Sequence, residues 1–414
     1  MKKTYFFVSL LSFFSLFFYL SIQNIYFMIL KIIIFSAIGL YMIKKDKIYF
    51  YFFLYALMFN MIFFNLFIFN SELIEHENYK IRGNIKNNII NVKKINNKYP
   101  KNRLFINIKD NYIEDGIYNF NIKIINNHGK IIGEIINSNT DLSEKFVTIF
   151  ENKIESYTRK HPKDFLDFYT LLVTGNKNHQ NKDELKKYAY TGISHLMVIS
   201  GMHFGIIFFI LMYILELFSI SYKKKYIMLI FITTLYVFLC RFEIPVVRSY
   251  IMAMFLIIAR LNHERYCIKK SFVLCYIIHI HLNPLNIYNV SFQLSYVAVF
   301  ALIYMYPIFK TYVNTDNISK TREMFYTGIV VQVAMLPLSI YYFGKLPFLS
   351  LFANIFLSIF FTLLMIIFIL NFIIGIFSIK LATIFCNLSY FAYSIFQAYI
   401  DFFNKIPFMS IDIN

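Results

Sequence analysis

Long apolar stretches fill both ends of this 414-residue sequence and constrain its fold more than any other feature. Most of them approach the roughly 20 residues that a helix needs to cross the hydrocarbon core of a bilayer. They make the chain 58% apolar and only 15% charged, whereas a typical soluble domain is about 25% charged. A soluble fold of this length cannot bury so much apolar surface. The sequence therefore excludes a soluble enzyme and predicts a chain that lies mostly in a membrane.

Three apolar segments precede residue 71 and eight follow residue 165, so we predict about eleven membrane spans. The first segment follows Lys2 and Lys3 as in a signal peptide, but no small-residue cleavage site comes after it, so we interpret it as an uncleaved span. The predicted spans are 5–20, 25–43, 48–70, 194–218, 226–241, 246–260, 271–283, 291–309, 324–343, 348–370 and 381–400.

Basic loops predict the orientation of these spans, because short loops rich in Lys and Arg favour the cytoplasmic side. With a cytoplasmic N-terminus, eleven spans place all four short basic loops inside the cell. The same count places residues 71–165 and the C-terminus outside. The four loops are 44–47, 223–225, 265–270 and 310–322.

Residues 71–165 have a different pattern, with short alternating apolar runs separated by turn residues, and they indicate a small β domain such as a barrel. A helix follows, because Phe146, Phe150, Ile154 and Tyr157 share one helical face. We therefore predict five parts of the chain, which are three N-terminal membrane helices (1–70), an extracytoplasmic β domain (71–142), an amphipathic helical connector (143–190), a transmembrane core (191–403) and a short tail (404–414).

The first of four polar patches in the second half covers residues 191–205. Polar side chains in membrane helices are costly and normally face protein or water. In a continuous helix His195 and His203 would lie about 80° apart, with Ser200 between them. Gly201 and Gly205 form a G-x-x-x-G pair that permits close helix contact. Helix packing with hydrogen-bonded histidines explains the patch as well as a functional site does. Metal binding is disfavoured, because no nearby carboxylate or cysteine completes a site.

The second patch runs from residue 241 to residue 249. Pro245 occupies a position where a helix can start, and Arg248 follows one turn later. A buried arginine needs a partner, which Glu243 or a phosphate could provide. A structural ion pair and a contact to an anion fit this patch equally.

The third patch, 283–296, combines a proline with several polar residues and predicts a broken or interfacial helix. We expect Gln293 and Ser295 to face inward, because non-helical backbone at membrane depth requires protein or a water-filled cavity around it.

The fourth patch runs from residue 332 to residue 354. Pro337 predicts a kink in its span, and Gln332 and Asn354 are candidates for buried polar groups. A kinked bundle helix and a pore-lining helix are equally consistent with these residues.

Catalytic motifs are missing from the sequence, which contains no Gly-rich phosphate loop, no zinc-protease helix and no nucleophile elbow. The four cysteines show no zinc spacing. His279 and His281 flank a predicted outer boundary, where solvated histidines are ordinary. We expect neither enzymatic activity nor a cofactor.

The four patches, in this order, resemble the ComEC family of competence proteins, which pass DNA across the cytoplasmic membrane. The resemblance rests on 192–205, on 245–248, on 283–285 with 292–295, and on 336–344 with Asn354. It departs at Ile244 and Ser249, where relatives usually have proline and alanine. It covers residues 165–400 and also fits 71–140. The implied fold is a polytopic α-helical membrane protein with a small extracytoplasmic β domain that is OB-like.

The resemblance implies an inner-membrane channel for single-stranded DNA in natural transformation. The implied partners are single-stranded DNA, the lipid bilayer, a separate extracytoplasmic DNA receptor and nuclease, and a cytoplasmic ATP-driven translocase. Many relatives end in a metallo-β-lactamase-like domain, but its metal motif is not in this sequence, so no nuclease activity carries over. The candidate residues of the DNA path are His195, Ser200, Gly201, His203, Gly205, Pro245, Arg248, Gln293, Ser295, Gln332, Pro337 and Asn354.

Three other interpretations stay open at the level of sequence. Broken helices with intramembrane histidine and arginine also suit a small-solute or ion-coupled transporter, although we see no paired repeats. A membrane enzyme could use His195 or His203 as an acid–base group, but it would lack a partner carboxylate. The last interpretation is a degenerate relative without function.

Overall fold

The structure is a computed structural model. The residues that it describes are 68–69, 73–74, 77–86, 88–96, 98–100, 104–108, 116–126, 131–140, 142–176, 184, 187–188, 190–191, 197, 199–313, 319–346, 350–406 and 411–412. The three predicted N-terminal spans lie outside these ranges, apart from two residues. The chain divides into two units, Met1–Lys145 and Phe146–Asn414.

The predicted small β domain is confirmed, and its strands close into a five-stranded barrel with the order β2-β3-β5-β7-β6. Strands β5 and β7 pair in parallel, whereas the other pairs are antiparallel. The first unit contains the strands β1 (Ile68–Phe69), β2 (Asn78–Lys86), β3 (Ile89–Ile95), β4 (Tyr99–Pro100), β5 (Phe105–Ile108), β6 (Gly116–Asn126) and β7 (Ile132–Thr140).

Alternation along these strands fills the barrel with branched apolar side chains, including Ile85, Ile90, Ile106 and Ile122, all fully buried. A bulge beside Gly83 brings β2 close to β3. A Cβ atom at Gly83 would lie 2.5 Å from a methyl group of Ile90. Only glycine fits this approach, so the residue allows the barrel to close.

The second unit is helical, with one further pair of short strands. Its described helices and strands are α1 (Leu142–Thr158), α2 (Lys163–Thr174), α3 (Gly201–Leu217), α4 (Tyr222–Leu239), α5 (Ile244–Leu261), α6 (Ile268–Leu282), α7 (Val290–Phe300), α8 (Tyr306–Tyr312), α9 (Lys320–Phe343), β8 (Lys345–Leu346), α10 (Ser350–Phe377), α11 (Ile379–Asn404) and β9 (Ile411–Asp412). Strand β8 pairs with β9.

Five helical segments among the described residues are long and apolar enough to cross a membrane, which is the coarse architecture that the sequence predicts. They are Ile244–Leu261, Val290–Tyr312, Arg322–Phe343, Leu357–Phe377 and Ile379–Asn404. Helix α3 is apolar but has only 17 residues, and α6 has 15. Each apolar segment predicted after residue 165 coincides with a helix, whereas the total of eleven spans remains a prediction.

Helices α1 and α2 pack against α10 and α11 through aromatic side chains. Tyr169 stacks on Phe368, with ring centroids 4.5 Å apart, and its hydroxyl donates to the Phe368 carbonyl at 2.8 Å. Gly375 of α10 allows this approach, because a Cβ there would lie 2.7 Å from the Tyr157 ring. The predicted shared face of α1 lies against this core, with Ile154 and Tyr157 buried and Phe146 and Phe150 partly buried.

Helices α4 and α5 form an antiparallel hairpin. Its tight turn places Arg241 and Phe242 in the left-handed region, with φ of 52° and 55°. At the opposite end the Tyr222 hydroxyl donates to the Arg260 carbonyl at 3.2 Å, and Arg260 donates to the Tyr226 hydroxyl at 3.1 Å. The predicted basic loop 223–225 therefore lies at the end away from the turn.

The predicted break in the third patch is confirmed. Helix α6 ends at Leu282, a 3₁₀ segment covers Pro284–Tyr288, and α7 begins at Val290. A π-helical turn, Ala301–Met305, joins α7 to α8 in one continuous helical path.

Candidate polar site in the helical unit

Helix α3 begins with a reciprocal cap made by two residues of the first patch. The Met202 N–H donates to Ser200 Oγ at 3.2 Å, and the Ser200 N–H donates to His203 Nδ1 at 3.1 Å. Ser200 has an extended backbone, with φ of −121° and ψ of 172°. The cap therefore interrupts the predicted span 194–218 at Ser200, and α3 begins at Gly201. The predicted 80° relation between His195 and His203 stays a prediction, because His195 lies outside the described residues.

His203 is fully buried. Because Nδ1 accepts the Ser200 N–H, this geometry assigns the ring proton to Nε2. Nε2 is buried and has no hydrogen-bond partner among the described residues. The ring lies edge-on to Phe361 of α10, with centroids 5.5 Å apart. The cap therefore leaves one buried N–H donor unused.

Arg248 lies in the second turn of α5, which starts at Ile244 with Pro245 in its first turn, as predicted. Arg248 is 8% exposed, and its guanidinium donates to the Ser295 carbonyl of α7 and to Ser249 Oγ at 3.4 Å. Its Nε is buried and has no partner among the described residues.

The alternative of an ion pair between Arg248 and Glu243 is wrong. Glu243 precedes the first turn of α5, and its backbone is not helical, with φ of −54° and ψ of 133°. Among the described residues, none of the carboxylates forms an ion pair with Arg248.

Gly201 brings the first two patches together. A Cβ at this position would lie 2.5 Å from Arg248 Nη2 and would also collide with Ser249 Oγ. At Gly205, by contrast, a Cβ would meet no described atom within 4 Å. The predicted close contact of the G-x-x-x-G pair is therefore present at Gly201, whereas the described neighbours of Gly205 do not require a glycine.

Helix α6 adds a polar group that the sequence analysis missed. His279 Nδ1 lies 3.2 Å from the Tyr296 hydroxyl. Cys275 Sγ donates to the Arg248 carbonyl and lies 3.4 Å from the Tyr296 hydroxyl. The expectation of a solvated His279 is wrong, because the residue is buried between α6 and α7. The four-residue spacing of Cys275 and His279, which places both on one helical face, was the available signal.

Gln293 joins the third and fourth patches. Its Nε2 donates to the Ile287 carbonyl of the 3₁₀ segment at 2.8 Å, and its Oε1 accepts from the Tyr342 hydroxyl of α9 at 2.8 Å. Ser295 contributes its carbonyl to Arg248. Contacts through Gly201, Arg248, Gln293 and Tyr342 thus connect parts of all four patches.

Three other candidates lie elsewhere in the helices. Gln332 is half-buried and Pro337 is exposed on α9, and no described contact joins either to Arg248. Asn354 lies in the first turns of α10, and its side chain is outside the described part of the structure.

We call the residues Gly201, Arg248, Ser249 and Ser295 the Arg248 cluster. It presents one buried cation with an unused hydrogen-bond donor, but no nucleophile paired with a base. The described residues hold no group of three or more potential metal ligands. Chemically, the cluster can hold a hydrogen-bond acceptor or an anion.

Comparison with known proteins identifies relatives of the helical unit. A family model described as "Competence protein" matches residues 172–414. The "ComE operon protein 3" of Bacillus subtilis (strain 168) is 28% identical over 194 residues, which cover 47% of this chain and 24% of that protein. The chain thus matches about a quarter of that relative's length. No solved structure matches the chain.

Proposed function

Because the chain belongs to the competence protein family, we propose that it acts in DNA uptake, as a channel that passes single-stranded DNA across the inner membrane during natural transformation. The observation that carries this proposal is the meeting of the polar patches. Gly201 and Ser295, which are far apart in sequence, both lie against Arg248 inside an apolar helical unit.

Buried polar groups in a membrane protein usually mark the path of a substrate. Here His203 is fully buried and Arg248 is 8% exposed, so neither side chain lines an open passage in this structure. We therefore take the structure as a closed conformation, in which the Arg248 cluster holds α3, α5 and α7 together. DNA passage then requires these helices to move apart, as in a gated channel.

The barrel supports an OB-like role in receiving DNA. Its strand order places the third and fifth barrel strands side by side in parallel, and five-stranded barrels of the OB type bind oligonucleotides. Lys80, Lys93 and Lys123 are exposed on its outer face, together with Phe105. Cations attract phosphates and an aromatic ring stacks on a base, so neither requires a particular sequence.

The proposed orientation places the N-terminus in the cytoplasm and the barrel outside the inner membrane. The channel contains no nucleotide-binding motif, so the driving force comes from a cytoplasmic ATP-driven translocase. A separate extracytoplasmic receptor and nuclease would deliver one DNA strand to the barrel.

A second candidate function is a small-solute or ion-coupled transporter. The 3₁₀ segment Pro284–Tyr288 favours it, because interrupted helices near buried polar groups form the binding sites of many transporters. DNA import and solute import are distinguished by the experiment below.

The test is a strain that lacks the gene, scored with labelled DNA. We expect the cells to capture DNA at their surface as well as the parent does, but to import none into the cytoplasm. Expression of the chain from a second locus should restore import. Normal DNA import in the deletion strain would overturn the proposed function. If the deletion strain no longer takes up a small solute but still imports DNA, the result would support the transporter.

A further inference from the structure

Arg248 is a buried cation without a counter-ion among the described residues. Its hydrogen-bond acceptors, the Ser295 carbonyl and Ser249 Oγ, are both neutral. A buried charge normally costs several kcal/mol unless an opposite charge and further hydrogen bonds compensate it. The neutral acceptors compensate only part of this cost. The site therefore favours a negative group.

One buried donor of Arg248 is also unused. Arg248 Nε has no hydrogen-bond partner among the described residues, and an unsatisfied buried donor costs about 1–3 kcal/mol. Gly201 brings the guanidinium against the first residue of the 17-residue helix α3. A helix N-terminus carries a partial positive charge that favours anions. The charge of Arg248, its unused donor and the helix dipole all favour an anion as ligand.

We propose that the Arg248 cluster binds a phosphate-class oxyanion, with Arg248 as the main contact. A guanidinium fits phosphate because its N–H groups form parallel hydrogen bonds to two oxygens. This inference deepens the proposed function, on which it rests for its ligand, namely a phosphodiester of the DNA strand in transit. A phospholipid headgroup carries the same chemistry and is the other source of such a ligand.

Thermal unfolding of the full chain in detergent tests the site with inorganic phosphate. A ligand that binds only the folded state raises the melting temperature. We expect phosphate, exchanged for chloride at constant ionic strength, to raise the melting temperature of the wild type. Arg248→Gln should abolish the shift. Arg248→Lys should retain part of it, because lysine keeps the charge but lacks the paired N–H groups of the guanidinium.

The matched control is Arg260→Gln, which removes an arginine at the other end of α5. This variant should keep the phosphate-dependent shift of the wild type. If Arg248→Gln does not fold, the wild type, Arg248→Lys and Arg260→Gln still decide the question. A wild-type melting temperature that phosphate does not change, or an equal loss of the shift in Arg260→Gln, overturns the proposal.

Nanodiscs distinguish the two sources of phosphate. In phosphatidylcholine discs, an oligo(dT) strand should bind Arg248→Gln about tenfold more weakly than Arg260→Gln, the equivalent of one charge-assisted hydrogen bond. If instead phosphatidylglycerol raises the melting temperature in an Arg248-dependent manner while oligo(dT) binding is equal in both variants, the ligand is a lipid headgroup and the DNA assignment is overturned.

The failure of this inference is separable from the failure of the proposed function. Deletion of the gene could abolish DNA import while Arg248→Gln imports DNA normally and shows the wild-type shift of melting temperature with phosphate. That result would support the channel and overturn the anion site. If deletion leaves DNA import intact, the proposed channel function is overturned. The phosphate-dependent shift of the melting temperature then decides alone whether the site binds an oxyanion.

Discussion

Gly201 shows how a single missing side chain allows two helices to meet. A Cβ there would lie 2.5 Å from Arg248 Nη2, whereas a Cβ at Gly205 would meet no described atom within 4 Å. Alanine substitution at these two positions of the same helix therefore compares a crowded position with an open one.

We predict that Gly201→Ala reduces DNA import and lowers the melting temperature, because the guanidinium must leave its position. Gly205→Ala should leave both unchanged or stabilise the helix by up to ~1 kcal/mol, the difference in helix propensity. Import of labelled DNA and thermal unfolding of the purified proteins measure the two effects. Equal loss in both variants would contradict the contact described here.

His161 lies between α1 and α2, and burial lowers its pKa below the ordinary value of 6.5. Its ring stacks on Tyr390, with centroids 4.9 Å apart. The unfolded chain therefore binds a proton more readily than the folded chain does, so stability decreases as the pH falls through 6.5.

We predict that the melting temperature of the wild type falls between pH 7 and pH 5, and that His161→Phe reduces the size of this decrease. The phenyl ring keeps the stacking and cannot be protonated. Melting curves at several pH values provide the test, and the difference between the proteins isolates His161 from other histidines. Identical pH dependence in the two proteins would show that His161 contributes nothing.

The sequence predicted some residues of the site and missed others for physical reasons. Pro245 at a helix start and the need of Arg248 for a partner follow from local chemistry. The partner itself, a backbone carbonyl of Ser295, lies 47 positions away and has no side-chain signature. Tyr342 was missed because one tyrosine among 33 does not indicate a hydrogen bond to Gln293.

At the scale of elements, a small polar junction ties the α1–α2 pair to the turn between α4 and α5. Arg241 Nη2 lies 3.5 Å from Glu151 Oε1, and Arg241 Nη1 donates to the Thr174 carbonyl at 3.4 Å. Glu151 also accepts from the Thr174 hydroxyl and from Asn176 Nδ2, each at 3.0 Å. The junction holds the strained backbone at Arg241 and Phe242.

A double-mutant cycle with Glu151→Gln and Arg241→Gln tests this junction. We predict that each single variant is destabilised and that the double variant loses less than the sum, with a coupling of about 0.5–3 kcal/mol. Thermal or denaturant unfolding of the four proteins measures the coupling. Strict additivity would mean that the two side chains act independently.

Helix α11 has an exposed apolar face and a buried face that includes a polar residue. Leu381, Ile384, Leu388 and Phe391 form an exposed apolar stripe, whereas Ser389 is buried and accepts from Asn371 of α10 at 3.2 Å. A helix that faces lipid is expected to expose apolar side chains and to turn its polar side chains towards the protein interior.

We predict that Leu388→Lys prevents stable accumulation in the membrane, because a lysine at the centre of a membrane helix costs about 2.5–3.5 kcal/mol. Leu388→Ile should accumulate normally. Immunoblots of membrane fractions make the comparison, and equal levels of the two variants would show that this stripe does not face lipid.

Helix positions were predictable because the apolar runs are long, whereas helix ends were not. The start of α3 depends on the reciprocal cap between Ser200 and His203, which competes with the helical continuation that the apolar pattern favours. The barrel strands were predictable as a group from their alternation, but their order depends on pairings such as that of β5 with β7, which are distant in sequence.

At the scale of the whole molecule, the barrel has its own apolar core, separate from that of the helical unit. We predict that a fragment covering residues 73–141 folds alone and binds single-stranded DNA. Its affinity should fall as salt rises, with a log–log slope of about 0.7 per phosphate contacted.

Fluorescence anisotropy with labelled oligo(dT) at several salt concentrations measures this slope. Lys80→Gln together with Lys123→Gln should lower both the affinity and the slope, because each lysine neutralises a phosphate. Glu134→Gln on β7, which removes an acidic side chain from the same outer surface, is the matched control and should not weaken binding. A slope near zero would assign the barrel a structural role only.

The π-helical turn Ala301–Met305 sets the relative rotation of the two halves of a long helical path. A wide turn of this kind accommodates one residue more than a regular helix does, and one residue corresponds to a rotation of about 100°. Because the wide turn absorbs this residue, the faces that carry Gln293 and Lys310 keep their relative direction. If a regular helical turn replaced it at the same chain length, the face that carries Lys310 would rotate by about 100° relative to the face that carries Gln293. The π-helical turn thus preserves the alignment of the two helical halves across one additional residue.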